Sequence, residues 1–523
     1  MGSPERRFLS SLTVMTSLWH LTSPRIPSDS FRDDGSLNDG SARCDTVVVG
    51  AGLTGLMTAV LLARAGQHVT VLEAHSIGSV ATGNTTGKLS LLQGTVLGSL
   101  RKSAGDEVLA AYVEANREGQ AWLVRELESF GEQVDVRPAV TYASSEEQLA
   151  QLARERDAAE VAGLQLRETE DAGLPFDVFG ALTLDNQVQL QPMRVLARLA
   201  EELRSRGGRI VERCAVTDVE TQSDGLHVVT GQGSLVAERC VLATGTPILD
   251  RGLFFAKLDV TRSFVTAYRI AAADAPRVMA VAAGSPFHSI RSARDAVGGD
   301  VLVVGGAAQR LGDFGDTRDE LRQLDSWAAR HFPSAQRLSW WAAQDYRTHS
   351  GVPFAGAMPR GGGRIYTATG YNKWGMTNAV AAALAIAGEM LGGNMEWART
   401  LRAHVLSLPA AVNALQTTGA VAGHLVSGWA GAEQRSVADC VNPSEGEGFV
   451  ARDGVTPVAV SRVDDRLRRV SGVCTHLGGV LRWNSAERSW DCPLHGSRFA
   501  ADGSRIEGPA LRDLPNAERA AGA

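Results

Sequence analysis

Near the C-terminus, two short segments each carry one cysteine and one histidine: Cys474-Thr475-His476-Leu477-Gly478-Gly479 and Cys492-Pro493-Leu494-His495-Gly496-Ser497. The pattern is C-x-H and C-x-x-H, with fifteen residues between His476 and Cys492. Two Cys and two His can make a tetrahedral zinc site, but C-x-H is tighter than a usual zinc knuckle. Two loops that each offer one thiolate and one imidazole suit a [2Fe–2S] cluster, in which one iron takes both sulfurs and the other both nitrogens. The flanking glycines let both loops close over such a group.

A second constellation lies at residues 46–73. Val47-Val48-Val49 reads as a buried parallel strand, and Gly50-Ala51-Gly52-Leu53-Thr54-Gly55 follows at once. A helical pattern runs from Leu56 to about Ala65, Gly66 stops it, and a second strand over 69–72 ends at Glu73. Strand, glycine turn, helix, strand and acid form the context that makes G-x-G-x-x-G a dinucleotide fingerprint. Gly50 serves the tight turn, Gly52 the close approach of a pyrophosphate and Gly55 the packing of helix on strand. The helix N-terminus presents free N–H groups and its positive dipole end to the phosphates. Glu73 can accept from a ribose hydroxyl. At this point NAD and FAD are both open.

The elements that position these sites must come from a chain of 523 residues, long enough for two to four domains. A hydrophobic content of 44% is that of a globular protein. A net charge of −6, with dispersed Lys and Arg, gives no sign of a nucleic-acid partner. No apolar run approaches the roughly 18 residues that would span a bilayer. Arg6-Arg7-Phe8-Leu9-Ser10 resembles a twin-arginine signal, but the stretch after it is short and polar, and Met15 is an alternative start. Six scattered cysteines, Cys44, Cys214, Cys240, Cys440, Cys474 and Cys492, argue against a disulfide framework and for a reducing, cytoplasmic setting.

Along the chain, residues 1–43 read as an extended polar arm, with Trp19 available to pack it onto the body. Residues 75–94, HSIGSVATGNTTGKLSLLQG, are too small and hydroxyl-rich for a core helix and suit a loop along a ligand. Helices are expected over 106–130, over 145–162 and within 187–206. Residues 209–230 read as strand, turn and strand, and the strand over 235–243 ends in Ala243-Thr244-Gly245. Residues 255–345 mix strands with a helix over 316–331. Val301-Leu302-Val303-Val304-Gly305-Gly306 reads as a strand entering a turn, because no acid-ended βαβ unit follows. A strand over 364–367 leads to a second glycine loop, residues 368–378, which opens an Ala-rich helix and its free N–H groups. Residues 397–434 read as a helical connector, and short alternating strands from 435 onward mark a small all-β unit.

Residues 435–515, through Trp490-Asp491 and GSRFAADGSRIEGPALRDLP, resemble Rieske [2Fe–2S] domains. The resemblance implies Cys474, His476, Cys492 and His495 as cluster ligands. High-potential Rieske proteins add a cysteine to each loop, joined by a disulfide; Gly479 and Leu494 stand there. They also carry a tyrosine whose hydroxyl bonds a ligand sulfur; Phe499 stands there, with Ser497 left as a donor. Fewer hydrogen bonds to sulfur imply a potential in the lower Rieske range.

A nicotinamide moves hydrides and an iron–sulfur cluster single electrons, and a flavin converts between them, so the fingerprint is best read as FAD. VVVGAGLTGL, TTGKLS, VLATG and ATGYNKWGMTNAV, within residues 41–395, resemble the FAD-dependent oxidases related to D-amino-acid oxidase and sarcosine oxidase. The resemblance implies that Gly50, Ala51, Gly52, Leu53, Thr54, Gly55, Glu73 and Ala74 hold the ADP half. Thr85, Thr86 and Lys88 would lie along pyrophosphate and flavin, and Val216 against the adenine. Ala243, Thr244, Gly245, Gly370, Tyr371, Asn372, Lys373, Trp374, Gly375 and Met376 would approach the flavin. Relatives that attach flavin covalently use a His or Cys in these loops; residues 82–93 hold no His and 370–378 no Cys, so non-covalent FAD is expected. Lys373 or Lys88 would stabilise reduced flavin electrostatically. Lys373, Tyr346 and Trp374 are the catalytic candidates; Trp340 and Trp341 are further pocket candidates, His349 a candidate base and Arg262 a candidate carboxylate binder.

The expected fold class is α/β (α+β): a two-part flavoprotein, its Rossmann-like FAD domain interleaved with a sheet-based substrate domain, plus a small all-β Rieske domain. FAD-binding segments are expected at about 44–120, 185–255 and 340–396, and substrate-domain segments at about 121–184 and 256–339. The Rieske domain is expected over 435–523. The implied activity is dehydrogenation of a C–N bond in a small amine or amino acid, with electrons passing singly through the cluster to an external carrier. The reverse direction, driven by a ferredoxin-like donor, and a non-catalytic redox sensor stay open, as does oligomerisation.

Overall fold

The structure, a computed structural model, describes residues 15–31, 43–311, 315–406 and 440–517. The remaining parts of the expected arm, connector and C-terminal tail lie outside the described residues. Two sheets carry the oxidoreductase body. The first has the strand order Phe354–Ala357, Ile365–Thr369, Gly233–Leu242, Arg43–Val49, Val69–Leu72, Arg209–Val211. Its four middle strands and Arg209–Val211 run parallel. Their residues are apolar on both faces because helices cover both sides. Helix Leu53–Arg64 is buried almost all round, against helices Pro192–Ser205 and Gly375–Met390. The sheet therefore opens only at its carboxyl edge, where ligands bind in doubly wound folds.

The second sheet has nine strands, running from Gln336–Thr348 through Leu258–Arg269, Asp300–Arg310, His288–Arg294 and Met279–Ala282 to Asp135–Ala143 and Gly180–Gln189. Strand Gln336–Thr348 pairs with Leu258–Arg269 along its whole length, so the substrate-side sheet runs past the expected boundary at residue 340. The expected turn at Gly305-Gly306 is absent. Strand Asp300–Arg310 runs straight through both glycines, paired on each side. A Cβ at Gly306 would lie 2.8 Å from Leu324 Cδ2 and 2.9 Å from Phe287 O. These glycines serve close packing rather than a reversal. Within residues 75–94 a short helix, Ala81–Asn84, interrupts the expected loop.

The small domain is all-β: Gly448–Asp453, Thr456–Val463 and Arg466–Ser471 form one sheet, and Arg482–Asn484, Ser489–Asp491, Arg498–Ala500 and Arg505–Glu507 another. Its core packs Trp490, Phe499 and Leu481 around Cys474 and Cys492. Trp19 holds the arm to the body: it is buried, its Nε1 donates to Thr85 O at 2.6 Å, and it meets Trp341 edge-on. Helix Glu396–Val405 begins the expected connector. No helix among the described residues is long and apolar enough to cross a membrane.

Candidate functional site

Four parallel strands end at one cavity of about 730 Å³, which is lined by Gly50, Glu73, Ala243 and Gly370, the residues that follow them. The glycines are set by contact. A Cβ at Gly55 would fall 1.9 Å from Gly50 O, and one at Gly50 would fall 2.5 Å from Ala243 O. Gly52 caps helix Leu53–Arg64 without a side chain, and although Leu53 N donates to Thr82 Oγ1 at 3.1 Å, the positive end of the helix faces a cavity suited to an anion. Helix Gly375–Met390 likewise starts at the cavity without a side-chain cap. Glu73 Oε2 accepts from Ala51 N at 2.8 Å and Oε1 from His75 N at 2.9 Å. Burial raises its carboxyl above the ordinary range against these two donors. The dimensions and donors suit a dinucleotide.

Of the sequence candidates, Leu53, Thr54, Ala74, Thr85, Thr86, Lys88, Val216, Thr244, Gly245 and residues 371–376 line the cavity. Ala51 and Gly55 stand behind its wall, one bonding Glu73 and the other packing on Gly50. Tyr346 and Trp374 line it; Trp340 and Trp341 do not, since both are core residues and Trp341 Nε1 donates to Asn84 O. His349 lines the cavity 3.7 Å from Asp259. Arg262 is not a substrate ligand: its guanidinium is buried against Glu487 and Glu507 of the small domain. Its spacing beside the pocket could not reveal that the chain supplies its own carboxylates.

Lys88 is buried with Nζ donating to Ser289 Oγ, and burial together with nearby Arg291 lowers its ammonium well below the ordinary value. Lys373 donates to Ser263 Oγ at 3.1 Å; its exposed area is turned into the cavity, and the enclosing walls lower its ammonium too. Asp345, between Gln344 and Tyr346, is pushed up to about 6 by burial, opposed by the Lys373 N–H and charge. Sequence reading passed over Asp345, Ser263, Ser289 and Gln93, which reach the cavity from separate strands and loops with no shared motif. It also missed Arg505, Ile506, Glu507 and Gly508, by which the small domain itself closes one wall.

The two Cys/His loops have the same backbone form. Cys474 N donates to Gly479 O and Gly478 N to Cys474 O; Cys492 N donates to Ser497 O and Gly496 N to Cys492 O. Gly478 and Gly496 both have left-handed backbones, φ 75° and 84°, which favour glycine. The two thiols meet in the core, where Cys492 donates to Cys474 and lowers it from its ordinary value. The imidazoles of His476 and His495 lie 5.2 Å apart, and Phe255 of the oxidoreductase body stands edge-on to both at 5.2 and 5.0 Å. Among the described residues no three ligand-type side chains converge on one metal position. A sulfur pair beside a nitrogen pair fits two irons, each with two protein ligands. A Cβ at Gly479 would lie 2.8 Å from Leu494 Cδ1, so the positions without cysteines face each other. Ser497 Oγ accepts from Ala510 N at 2.9 Å, which leaves its hydrogen for a sulfur acceptor.

The sequence profile of the FAD dependent oxidoreductase family (DAO) matches residues 45–388, and that of the Rieske [2Fe-2S] domain matches 439–518. A Bacillus subtilis (strain 168) protein named as a Rieske 2Fe-2S iron-sulfur protein, YhfW, is 27% identical over 479 residues, 90% of this chain and 92% of its own. Glycine oxidase of the same strain is 23% identical over 68% of this chain and 96% of its own. The crystal structure of glycine oxidase from Geobacillus kaustophilus superposes with a TM-score of 0.57 at 19% identity, over 68% of this chain and 96% of that one.

Proposed function

The chain belongs to the FAD dependent oxidoreductase family and carries a Rieske [2Fe–2S] domain behind it, and from that premise we propose a dehydrogenase that oxidises a C–N bond of a small amine or amino acid and delivers the electrons singly to an external carrier. The supporting observation is that the cluster-bearing domain reaches the nucleotide cavity: its Arg505, Ile506, Glu507 and Gly508 line that cavity. When bound, FAD takes a hydride from the substrate and the cluster carries single electrons onward.

The chain's own residues bind, orient and exclude water. Gly50 and Gly52 let the pyrophosphate approach the backbone closely, and the positive end of helix Leu53–Arg64 faces it. Glu73 orients the ribose while accepting from Ala51 and His75. The N-terminus of helix Gly375–Met390 and Lys373 supply positive potential at the flavin end. Tyr346 and Trp374 wall off the substrate space, and Trp19 and Arg291, donating to Thr85 O at 2.6 Å and Thr86 O at 2.7 Å, hold the loop Thr85-Thr86. Asp345, its carboxyl raised by burial, offers a hydrogen-bond acceptor to a substrate amine at the cavity wall. Glycine oxidase among the relatives acts, by its name, on a small amino acid, which supports this substrate class.

A panel of small amines and amino acids added anaerobically to the holoenzyme tests the reading. Bleaching of flavin absorbance by one class supports it. No bleaching with any of them, together with flavin reduction by a ferredoxin, reverses the direction of electron flow.

A further inference from the structure

Gln344 stands between the two sites. It lies on strand Gln336–Thr348, lines the cavity and is buried. Its Nε2 donates to Tyr346 Oη at 2.8 Å and to Gly496 O at 2.9 Å. Gly496 directly follows the ligand His495, and its own N–H donates to the carbonyl of the ligand Cys492 at 3.2 Å. At the other end, the Tyr346 ring lies on the strand end Ala243-Thr244-Gly245: a Cβ at Gly245 would be 2.8 Å from Tyr346 Cε2. An unbroken chain of contacts thus joins the FAD cavity to the cluster loop. We propose that Gln344 is the positioning residue for electron transfer between the flavin and the cluster of the same polypeptide. The inference rests on the reading that FAD fills the cavity and a [2Fe–2S] cluster the four ligands.

Two further observations favour this role over simple packing. Gln344 Oε1 is buried without a hydrogen-bond partner. A methionine or leucine would fill the same volume without stranding a carbonyl, so packing alone does not account for the amide. The domains are also fixed around this contact. Gly496 approaches so closely that a Cβ would lie 2.7 Å from Val260 Cγ1 and 2.9 Å from Gln344 Nε2. Arg262 pairs with Glu487, Thr317 Oγ1 donates to Asn484 Oδ1 at 2.8 Å, and His75 Nε2 meets Ile506 O at 2.8 Å. A domain held on several sides does not need to swing to a partner molecule to exchange electrons.

In the step itself, one electron leaves reduced FAD and enters the oxidised cluster, and a flavin proton is released to the cavity. An external one-electron acceptor reoxidises the cluster before the second electron follows.

The test uses the full-length holoenzyme, with no amine present. A laser flash with 5-deazariboflavin injects one electron, and absorbance follows its redistribution between flavin and cluster. The expected rate is first order and unchanged over a tenfold range of protein concentration. Q344M, close in size, is expected to slow it at least tenfold while the EPR spectrum and potential of the cluster stay at wild-type values. Y346F, which keeps the ring and removes the hydroxyl, is expected to slow it as well. If Q344M does not retain both cofactors, Y346F carries the same decision. A rate proportional to protein concentration overturns the proposal, as does a wild-type rate in the variant, or a shift in cluster potential large enough to explain the slowing. Because no substrate enters, failure of the amine assignment leaves this test intact.

Discussion

Arg262 of the large sheet and Glu487 of the small domain form a two-pronged ion pair whose side chains are only 4% and 7% exposed. Glu507 joins Arg262 at 3.2 Å, and Arg498 reaches Glu487 and Glu507 at 2.9 Å and Asp491 at 3.0 Å. Against burial, which opposes ionisation, Arg262 and Arg498 hold the Glu487 carboxyl well below the usual carboxylate range. The network seals the domain interface beside the cavity wall formed by Glu507.

Replacing one member should therefore cost more than an exposed pair would. Arg262→Met leaves Glu487 and Glu507 facing one guanidinium in place of two. Breaking a buried pair in this way costs about 3–5 kcal/mol. Urea unfolding should show an early step in the variant, with proteolysis freeing the small domain. A single wild-type transition would contradict this.

Gly55→Ala should empty the cavity of its cofactor. The new methyl would sit 1.9 Å from Gly50 O, a backbone atom that cannot move without opening the fingerprint turn. Overpacking of this kind costs roughly 1–3 kcal/mol or more. The flavin-to-protein absorbance ratio after purification reads the outcome, and full occupancy would count against this placement of the nucleotide.

Glu155 links pH to stability. Its carboxylate accepts from Leu97 N at 3.2 Å and Gly98 N at 2.7 Å, yet burial raises it from 4.5 to about 7. The folded state thus favours the protonated form. The stabilisation is complete below about 4.5 and is lost as pH rises through about 7. At 1.36 kcal/mol per pKa unit the window amounts to roughly 3 kcal/mol. Glu155→Gln does not titrate, so its unfolding free energy relative to wild type should rise by that order from pH 4.5 to 7.5. Equal pH slopes in denaturant titrations would refute the assignment.

The cluster potential should lie in the lower part of the Rieske range. Phe499 is fully buried in the core that holds Cys474 and Cys492, and its ring brings no hydroxyl to a ligand sulfur. Phe499→Tyr should raise the potential, since an added donor to sulfur favours the reduced cluster. Spectroelectrochemical titration decides it, and a clearly positive wild-type potential would overturn the first statement.

The parts of this molecule legible in the sequence are those where chemistry forces a local pattern. The fingerprint needs Gly50, Gly52 and Gly55 at fixed spacing, and the cluster needs Cys474, His476, Cys492 and His495 on two tight turns. The substrate wall is different. Asp345, Ser263 and Ser289 reach it from neighbouring strands, each at a position set by sheet register rather than by a motif. The same holds for Arg262, whose partners lie 225 and 245 residues away along the chain. Gly305-Gly306 reads as a turn because glycine permits one, but here it serves the approach of Phe287 and Leu324. The wall that Arg505, Ile506, Glu507 and Gly508 of the small domain give to the cavity has no local signature at all.

The proposed dehydrogenase needs the two cofactor sites to form one path from an amine to a one-electron carrier. Freeze-quench EPR of the holoenzyme, mixed anaerobically with the amine that bleaches its flavin, tests it most directly. The expected result is a reduced-Rieske signal that grows as the flavin is reduced and reaches up to one spin per cluster. Flavin bleaching with the cluster still EPR-silent, over times longer than turnover, would contradict it.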